Sequence, residues 1–311
     1  MGEPPVATIR EVRRIWSEGP HNAFTDLVYF DQQWLCVFRE GKDHVSFDGR
    51  VRVLASSDGK AFHSISVLSM PAADLRDPKI CVTPDQRLML TAGLRLAQDL
   101  GRTLAWFSYD GVTWTSPQPI GADNDWLWRV TWSEGIAYAV GYSWTEPSGL
   151  RLYTSRAGRS FQPIEAPLIE EGSPNETTLV FTPDDLAYAL VRREAGSCTA
   201  MLGRARPPYT DWSWEDTGQP LGGPGLLRLP DGRLVAAGRV RAGSEEGPRT
   251  ALLWLDAASG NLTEFLELPS GGDTSYPGLV WHQDLLWVSY YSSHEGQTSI
   301  YLAQVELPPA E

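Results

Sequence analysis

The chain is poor in the features that would tie it to a metal, a nucleotide, a membrane or a disulfide framework. Its 311 residues include three cysteines, Cys36, Cys81 and Cys198. They form no C-x-x-C pair, and each lies in or at the edge of an apolar run, so free buried thiols are expected. No pair among His21, His44 and His294 has zinc-ligand spacing, and scattered surface histidines are the simpler reading. No glycine-rich phosphate loop is present either. A chain that needs neither metal nor cofactor is therefore expected. Basic residues are outnumbered, 26 Lys and Arg against 39 Asp and Glu, for a formal net charge of −13. That argues against nucleic acid and anionic membranes as partners, since both require clustered cations. No apolar run approaches a membrane span. The start, Met1-Gly-Glu-Pro-Pro-Val, lacks the basic and apolar regions of a secretory signal. Together with free thiols, this points to the cytoplasm. Helical periodicity is absent throughout.

What the chain has is repetition. An apolar run, a turn and a second apolar run ending in polar residues recur six times. The turn anchors Asp31, Asp85, Glu134, Asp184, Asp231 and Gln283 are 54, 49, 50, 47 and 52 residues apart. A strand-rich repeat near 50 residues marks a β-propeller. The expectation is an all-β, six-bladed propeller with four antiparallel strands per blade, forming one domain over residues 1–311. Blade one is expected at about 22–30, 33–39, 50–57 and 60–68. Only three strands fit after Thr274, so the run Ala7–Trp16 is expected to complete the last blade and close the ring. Closure removes two sheet edges that would otherwise invite aggregation. The 13 Trp and 11 Tyr residues suit packing between sheets, and in part a surface for stacking sugars.

The turn between the third and fourth strands repeats as Ser57-Asp58-Gly59-Lys60-Ala61-Phe62 and Ser108-Tyr109-Asp110-Gly111-Val112-Thr113-Trp114. A degraded copy runs Ser155–Phe161. In such a turn the Asp accepts backbone N–H groups and the Gly supplies a positive φ. The pattern resembles the Asp-box of sialidases and related propellers, where it lies opposite the active site.

In a propeller, the starts of the innermost strands and the ends of the second strands share one face. Here those positions hold His21-Asn22, Arg76-Asp77, Trp128-Arg129, Asn175-Glu176, Tyr276, Arg39-Glu40, Arg192-Arg193-Glu194, Arg239 and Tyr291 through His294. Strand ends are commonly polar, but acids, guanidinium groups and aromatics on one concave face are also the usual content of a ligand pocket. The resemblance to sialidases implies more specific roles. Tyr276 stands at the place of the nucleophile, and Glu176 at that of the base that eases its ionisation. Arg192 or Arg193 stands at that of a carboxylate-binding arginine, and Asp43 or Asp48 at that of the proton donor. The first arginine of the sialidase triad would fall at His21-Asn22. Arg76-Asp77-Pro78 instead resembles the motif of five-bladed fructan- and sucrose-cleaving propellers, whose Asp steadies the sugar.

These readings converge on a glycoside hydrolase acting on a small or terminal sugar, expected to be acidic. Glu176 and Tyr276 would form the nucleophile pair, and Asp77 or Asp48 the acid. His21, Arg39, Arg76, Arg129, Arg192, Arg193, Trp128, Tyr291 and His294 would bind the substrate. Two alternatives use the same fold. A non-catalytic propeller binding sugar or protein would hold Glu176 and Tyr276 out of hydrogen-bond reach and let Trp126, Trp128 and Trp144 dominate the pocket. A polysaccharide-lyase-like propeller would use His21 with a tyrosine.

Overall fold

The computed structural model describes residues 6–97, 101–144 and 149–310. Residues 1–5, on which the reading of the N-terminus rests in part, lie outside the described residues. Twenty-four strands form six four-stranded antiparallel sheets, and each sheet is one blade. The innermost strands are His21–Phe30, Ala73–Val82, Asp125–Ser133, Pro174–Phe181, Gly222–Arg228 and Thr274–His282. Blade one continues through Gln33–Gly41, Arg50–Ser56 and His63–Leu68, close to the expected boundaries. The six-bladed all-β propeller is thus the observed fold.

Ring closure works as the sequence suggests. Thr8–Trp16 pairs antiparallel with Ser299–Glu306 and supplies the outer strand of the sixth blade. Among the described residues no helix is long and apolar enough to cross a membrane.

Two-residue alternation puts apolar side chains on both faces of every blade, and neighbouring blades bury them against each other. Leu35, Val37 and Val53 of blade one meet Leu75, Leu88 and Leu90 of blade two, all at most 2 % exposed. Comparable clusters fill the other blade interfaces. Where blade six meets blade one, Trp34 stacks on Trp287 with ring centroids 4.2 Å apart. Much of the tryptophan excess is therefore packing.

The Asp turns take the expected form. The Asp110 carboxylate accepts the N–H groups of Val112 and Thr113, both at 2.8 Å, and the Ser108 hydroxyl at 3.0 Å. Asp58 does the same with Lys60, Ala61 and Ser56. Gly59 and Gly111 have φ of 69° and 74°. The cysteines are unpaired. Cys36 is buried and Cys81 half-buried, but Cys198 is exposed in the loop after the second strand of blade four, so the expectation of three buried thiols holds in full only at Cys36 and fails at Cys198. The apolar run that predicted its burial ends before that loop.

Candidate active site

Every innermost strand carries the same irregularity. The register to the second strand slips at Ala23/Asp26, Arg76/Lys79, Leu127/Val130, Pro174/Thr177, Gly222/Gly225 and Ser275/Gly278. In each blade two residues oppose one, which is a β-bulge. The six bulges hold Phe24-Thr25, Asp77-Pro78, Trp128-Arg129, Asn175-Glu176, Gly223-Pro224 and Tyr276-Pro277. Phe24, Asp77, Gly223 and Tyr276 adopt positive φ there. For Phe24, Asp77 and Tyr276 this is strained backbone, of a kind that persists only when the surroundings over-determine it.

At the centre, Tyr276 donates its phenol proton to Glu176 Oε1 at 2.5 Å. Arg192 Nη1 donates to Glu176 Oε2 at 2.8 Å and to the Tyr276 oxygen at 3.2 Å. Gly223 N–H also donates to Glu176 Oε2, at 2.9 Å. A Cβ on Gly223 would lie 2.8 Å from the Tyr276 ring, so only glycine lets that backbone approach. Burial alone would raise the Glu176 carboxyl, yet Arg192 and the Tyr276 hydroxyl hold it below its ordinary value. Burial, reinforced by the Glu176 charge, drives the Tyr276 phenol well above its ordinary value. The result is an ionised carboxylate hydrogen-bonded to an intact phenol, a base poised to take the proton as the oxygen forms a bond. The non-catalytic alternative required these two residues to be out of reach, and they are not.

Asp77 is 8 % exposed and accepts no hydrogen bond from the described residues. Burial raises its carboxyl toward the neutral form, against the pull of Arg76 and Lys79. Arg76 donates to Asp74 and to the His44 carbonyl, and its guanidinium covers the Phe24 ring at 4.9 Å. His21 and Tyr291 both reach the Asp273 carboxylate, at 2.9 and 2.8 Å.

Other expected site residues lie elsewhere. Asp48 is exposed and accepts the Lys42 N–H, with no contact to the central group. Arg193 follows Arg192 on a strand and so points to the opposite face, where Thr199, Ser197 and Asp216 take its guanidinium. Arg39 is fully buried and ion-paired with Asp74, while its remaining nitrogens hold Asp43 and Ser46 of the following loop. Arg129 clamps both oxygens of Asp26. Trp128 is 1 % exposed beneath Lys79 and Tyr276, which leaves no face for a sugar. His294 bonds Ser292 and packs on Tyr301, away from the axis.

Three residues at the centre escaped the sequence argument or were undervalued by it. Lys79, two positions after Asp77, is buried with its ammonium 4.6 Å above the Trp128 ring and 5.8 Å from that of Tyr276. Burial and the neighbouring Arg129 lower it to about 8. Arg239 is partly exposed, and its charge acts on Glu176, Tyr276 and Tyr291. It makes no ion pair or hydrogen bond with the described residues, so its fork is open. His44 meets His21 at the rim, which spacing in the sequence did not show. A concavity of about 600 Å³ lies between blades three and four at the opposite end, beside Tyr138 and Tyr209. It holds none of the convergent charge of the axis, so the axis is the better candidate.

No protein-family model matches the chain, and no curated protein matches it in sequence. Solved structures do. A protein of unknown function from Dyadobacter fermentans superposes with a TM-score of 0.84 at 20% identity, over 97% of this chain and 100% of that one. An α-L-arabinofuranosidase from Fusarium graminearum, in complex with an iminosugar inhibitor, gives 0.76 at 14%, over 97% and 98%. The sialidase of Trypanosoma rangeli gives 0.73 at 9%, over 97% of this chain and 60% of that one. At such identities the likeness establishes the fold, one that glycoside-hydrolase propellers share.

Proposed function

We propose that the protein is a glycoside hydrolase of the sialidase-like type that removes a small or terminal acidic sugar. The observation that carries this reading is the 2.5 Å contact between the Tyr276 hydroxyl and Glu176, with Arg192 bound to both. Tyr276 attacks the anomeric carbon while its proton passes to Glu176. A neutral phenol is a weak nucleophile, and an adjacent buried base removes the need for a free phenolate. The positive charges of Arg192 and Lys79 favour the developing charge on the phenol oxygen. The open guanidinium of Arg239 is the group best placed to take an acidic substituent, because Arg192 is already committed to Glu176 and Glu194. Asp77, shifted toward its neutral form and without a protein partner, is suited to hold a sugar hydroxyl at the floor.

The test is release of a fluorescent phenol from aryl glycosides of sialic acid, rhamnose, fucose, arabinofuranose and uronic acids. Wild type is compared with Glu176→Gln and Tyr276→Phe. Turnover by wild type that is lost in both variants is expected. Turnover that survives in either would remove the pair from the mechanism, and no turnover on any glycoside would sink the hydrolase reading.

A further inference from the structure

Beside the central pair is a second titratable group that the reading above leaves unused. His44 Nδ1 and His21 Nε2 each lie 2.9 Å from Asp273 Oδ2, and the Tyr291 hydroxyl donates to Oδ1 at 2.8 Å. The Asp273 backbone N–H donates to Ser293 Oγ at 2.8 Å. Burial would raise the Asp273 carboxyl, but the two imidazoles and the phenol hold it far below the usual carboxylate range. It is a fixed anion.

Two imidazoles and a carboxylate whose ligand atoms all lie within 4.8 Å of one another could suggest a metal. The inner histidine argues otherwise. His21 is 8 % exposed, and its Nδ1 is buried without a partner. Its hydrogen therefore sits on Nε2 and is donated to Asp273. A metal on Nε2 would force that hydrogen onto Nδ1, where nothing accepts it, against the usual support of ligand histidines by outer partners.

His44 differs from His21. Its side chain is 50% exposed, and only Nδ1 has a protein partner. Its carbonyl is held by Arg76 at 2.7 Å, and its ring stands edge-on to Phe24 at 5.2 Å. Phe24 in turn packs edge-on against Tyr276 at 4.9 Å. A carboxylate on Nδ1 that fixes the ring and leaves Nε2 free is the arrangement that makes a histidine a proton carrier in hydrolases. An enzyme that removes a terminal sugar keeps the sugar at the buried end of its pocket and the leaving group at the open end. The leaving-group acid therefore belongs at the mouth, where His44 lies, rather than at the floor with Asp77.

We propose that His44, oriented by Asp273 and buttressed by His21 and Tyr291, is the general acid and base of this site. The proposal rests on the hydrolase reading. In the first step the Tyr276 oxygen bonds to the anomeric carbon as its proton passes to Glu176. The glycosidic C–O bond breaks with its electron pair going to the leaving oxygen, which takes the Nε2 proton of His44 in its imidazolium form, leaving the neutral ring with its hydrogen on Nδ1 toward Asp273. In the second step water attacks the anomeric carbon and gives a proton to His44 Nε2. The bond to tyrosine breaks, and Glu176 returns the proton to the phenol oxygen. The sum is glycoside plus water giving free sugar plus alcohol.

The experiment compares wild type, His44→Gln and Asp273→Asn on phenyl and 2,4-dinitrophenyl glycosides of the sugar that the wild type turns over. Loss of a general acid costs about 10²–10⁴-fold on the poor leaving group. In kcat/KM, which reports the first step, dinitrophenolate leaves without protonation and a loss below about tenfold is expected; kcat falls because the second step lacks its base, and added azide should restore it in His44→Gln. Equal losses of kcat/KM on both leaving groups would overturn the assignment. A second measurement needs no substrate. Nitrogen-15 spectra of the wild type should show the His44 hydrogen on Nδ1 and the His21 hydrogen on Nε2, with the His44 preference lost in Asp273→Asn. A bare His44 Nδ1, or tight binding of added Zn²⁺ abolished by Asp273→Asn, would overturn the proposal whatever the fate of the hydrolase reading. If no glycoside is turned over, the hydrolase reading falls and the acid assignment falls with it, while the spectra still decide whether the Asp273–His44 pair exists.

Discussion

The two ends of the propeller treat carboxylates in opposite ways. At the turn end, Asp58 and Asp110 are exposed, and the amides two and three residues onward satisfy them. At the axis end, Asp26, Glu176 and Asp273 are buried or half-buried, and partners come from distant parts of the chain. Glu176 meets Tyr276 across 100 residues, and His21 meets Asp273 across 252. The turn end uses charge to fix local geometry. The axis end concentrates charge where desolvation makes each interaction strong and each loss costly. A lost partner should therefore cost more at the axis end than at the turn end.

The sharpest break in this contrast is at the central pair. Tyr276→Phe and Glu176→Gln are each expected to lower kcat by about 10³-fold or more, and the double variant to be no worse than the weaker single. Groups that act as one unit lose their effect together. Additive losses in steady-state kinetics would show that they act separately.

Next is the buried Arg39–Asp74 pair, both side chains 0% exposed. Asp74→Ala leaves a buried guanidinium without its partner and should cost about 3–5 kcal/mol in a urea titration. Replacing both residues with leucine should cost less than Asp74→Ala alone. If it costs more, the pair is a net source of stability.

Lys79 gives a pH-dependent test. Its ammonium is lowered from 10.5 to about 8. Between those values the unfolded chain binds more protons than the native one, so stability should rise with pH across that window. The gain is about 3 kcal/mol, and below pH 8 the cost of the buried charge is felt in full. Lys79→Met should flatten this rise in denaturant midpoints taken from pH 7.5 to 10. The smallest effect is expected at the turn end. Asp110→Ala gives up two backbone hydrogen bonds to water-accessible amides and should cost about 1 kcal/mol, with kcat/KM unchanged. A change in activity would mean that the two ends are coupled.

How far the site could be read from sequence follows the same division. Glu176, Tyr276 and Asp77 were legible because they start innermost strands, and a propeller gathers those starts at its axis. Arg192 and Arg193 could not be separated, since strand ends fix which face each residue takes only once the register is known. Trp128 looked available, but the packing of Lys79 above it was invisible. Lys79 itself was passed over as the residue after a motif. The pairing of His44 with Asp273 was not legible, because it depends on a loop from blade one reaching the start of blade six.

The sequence by itself determined the blade count, the strand boundaries, the ring closure and the Asp turns. Each depends on residues a few positions apart, where periodicity and turn chemistry act directly. Tertiary structure alone decided the six bulges, the open fork of Arg239 and the dyad of His44 with Asp273. Those depend on closing the ring, which brings the distant ends of the chain together and excludes water between them.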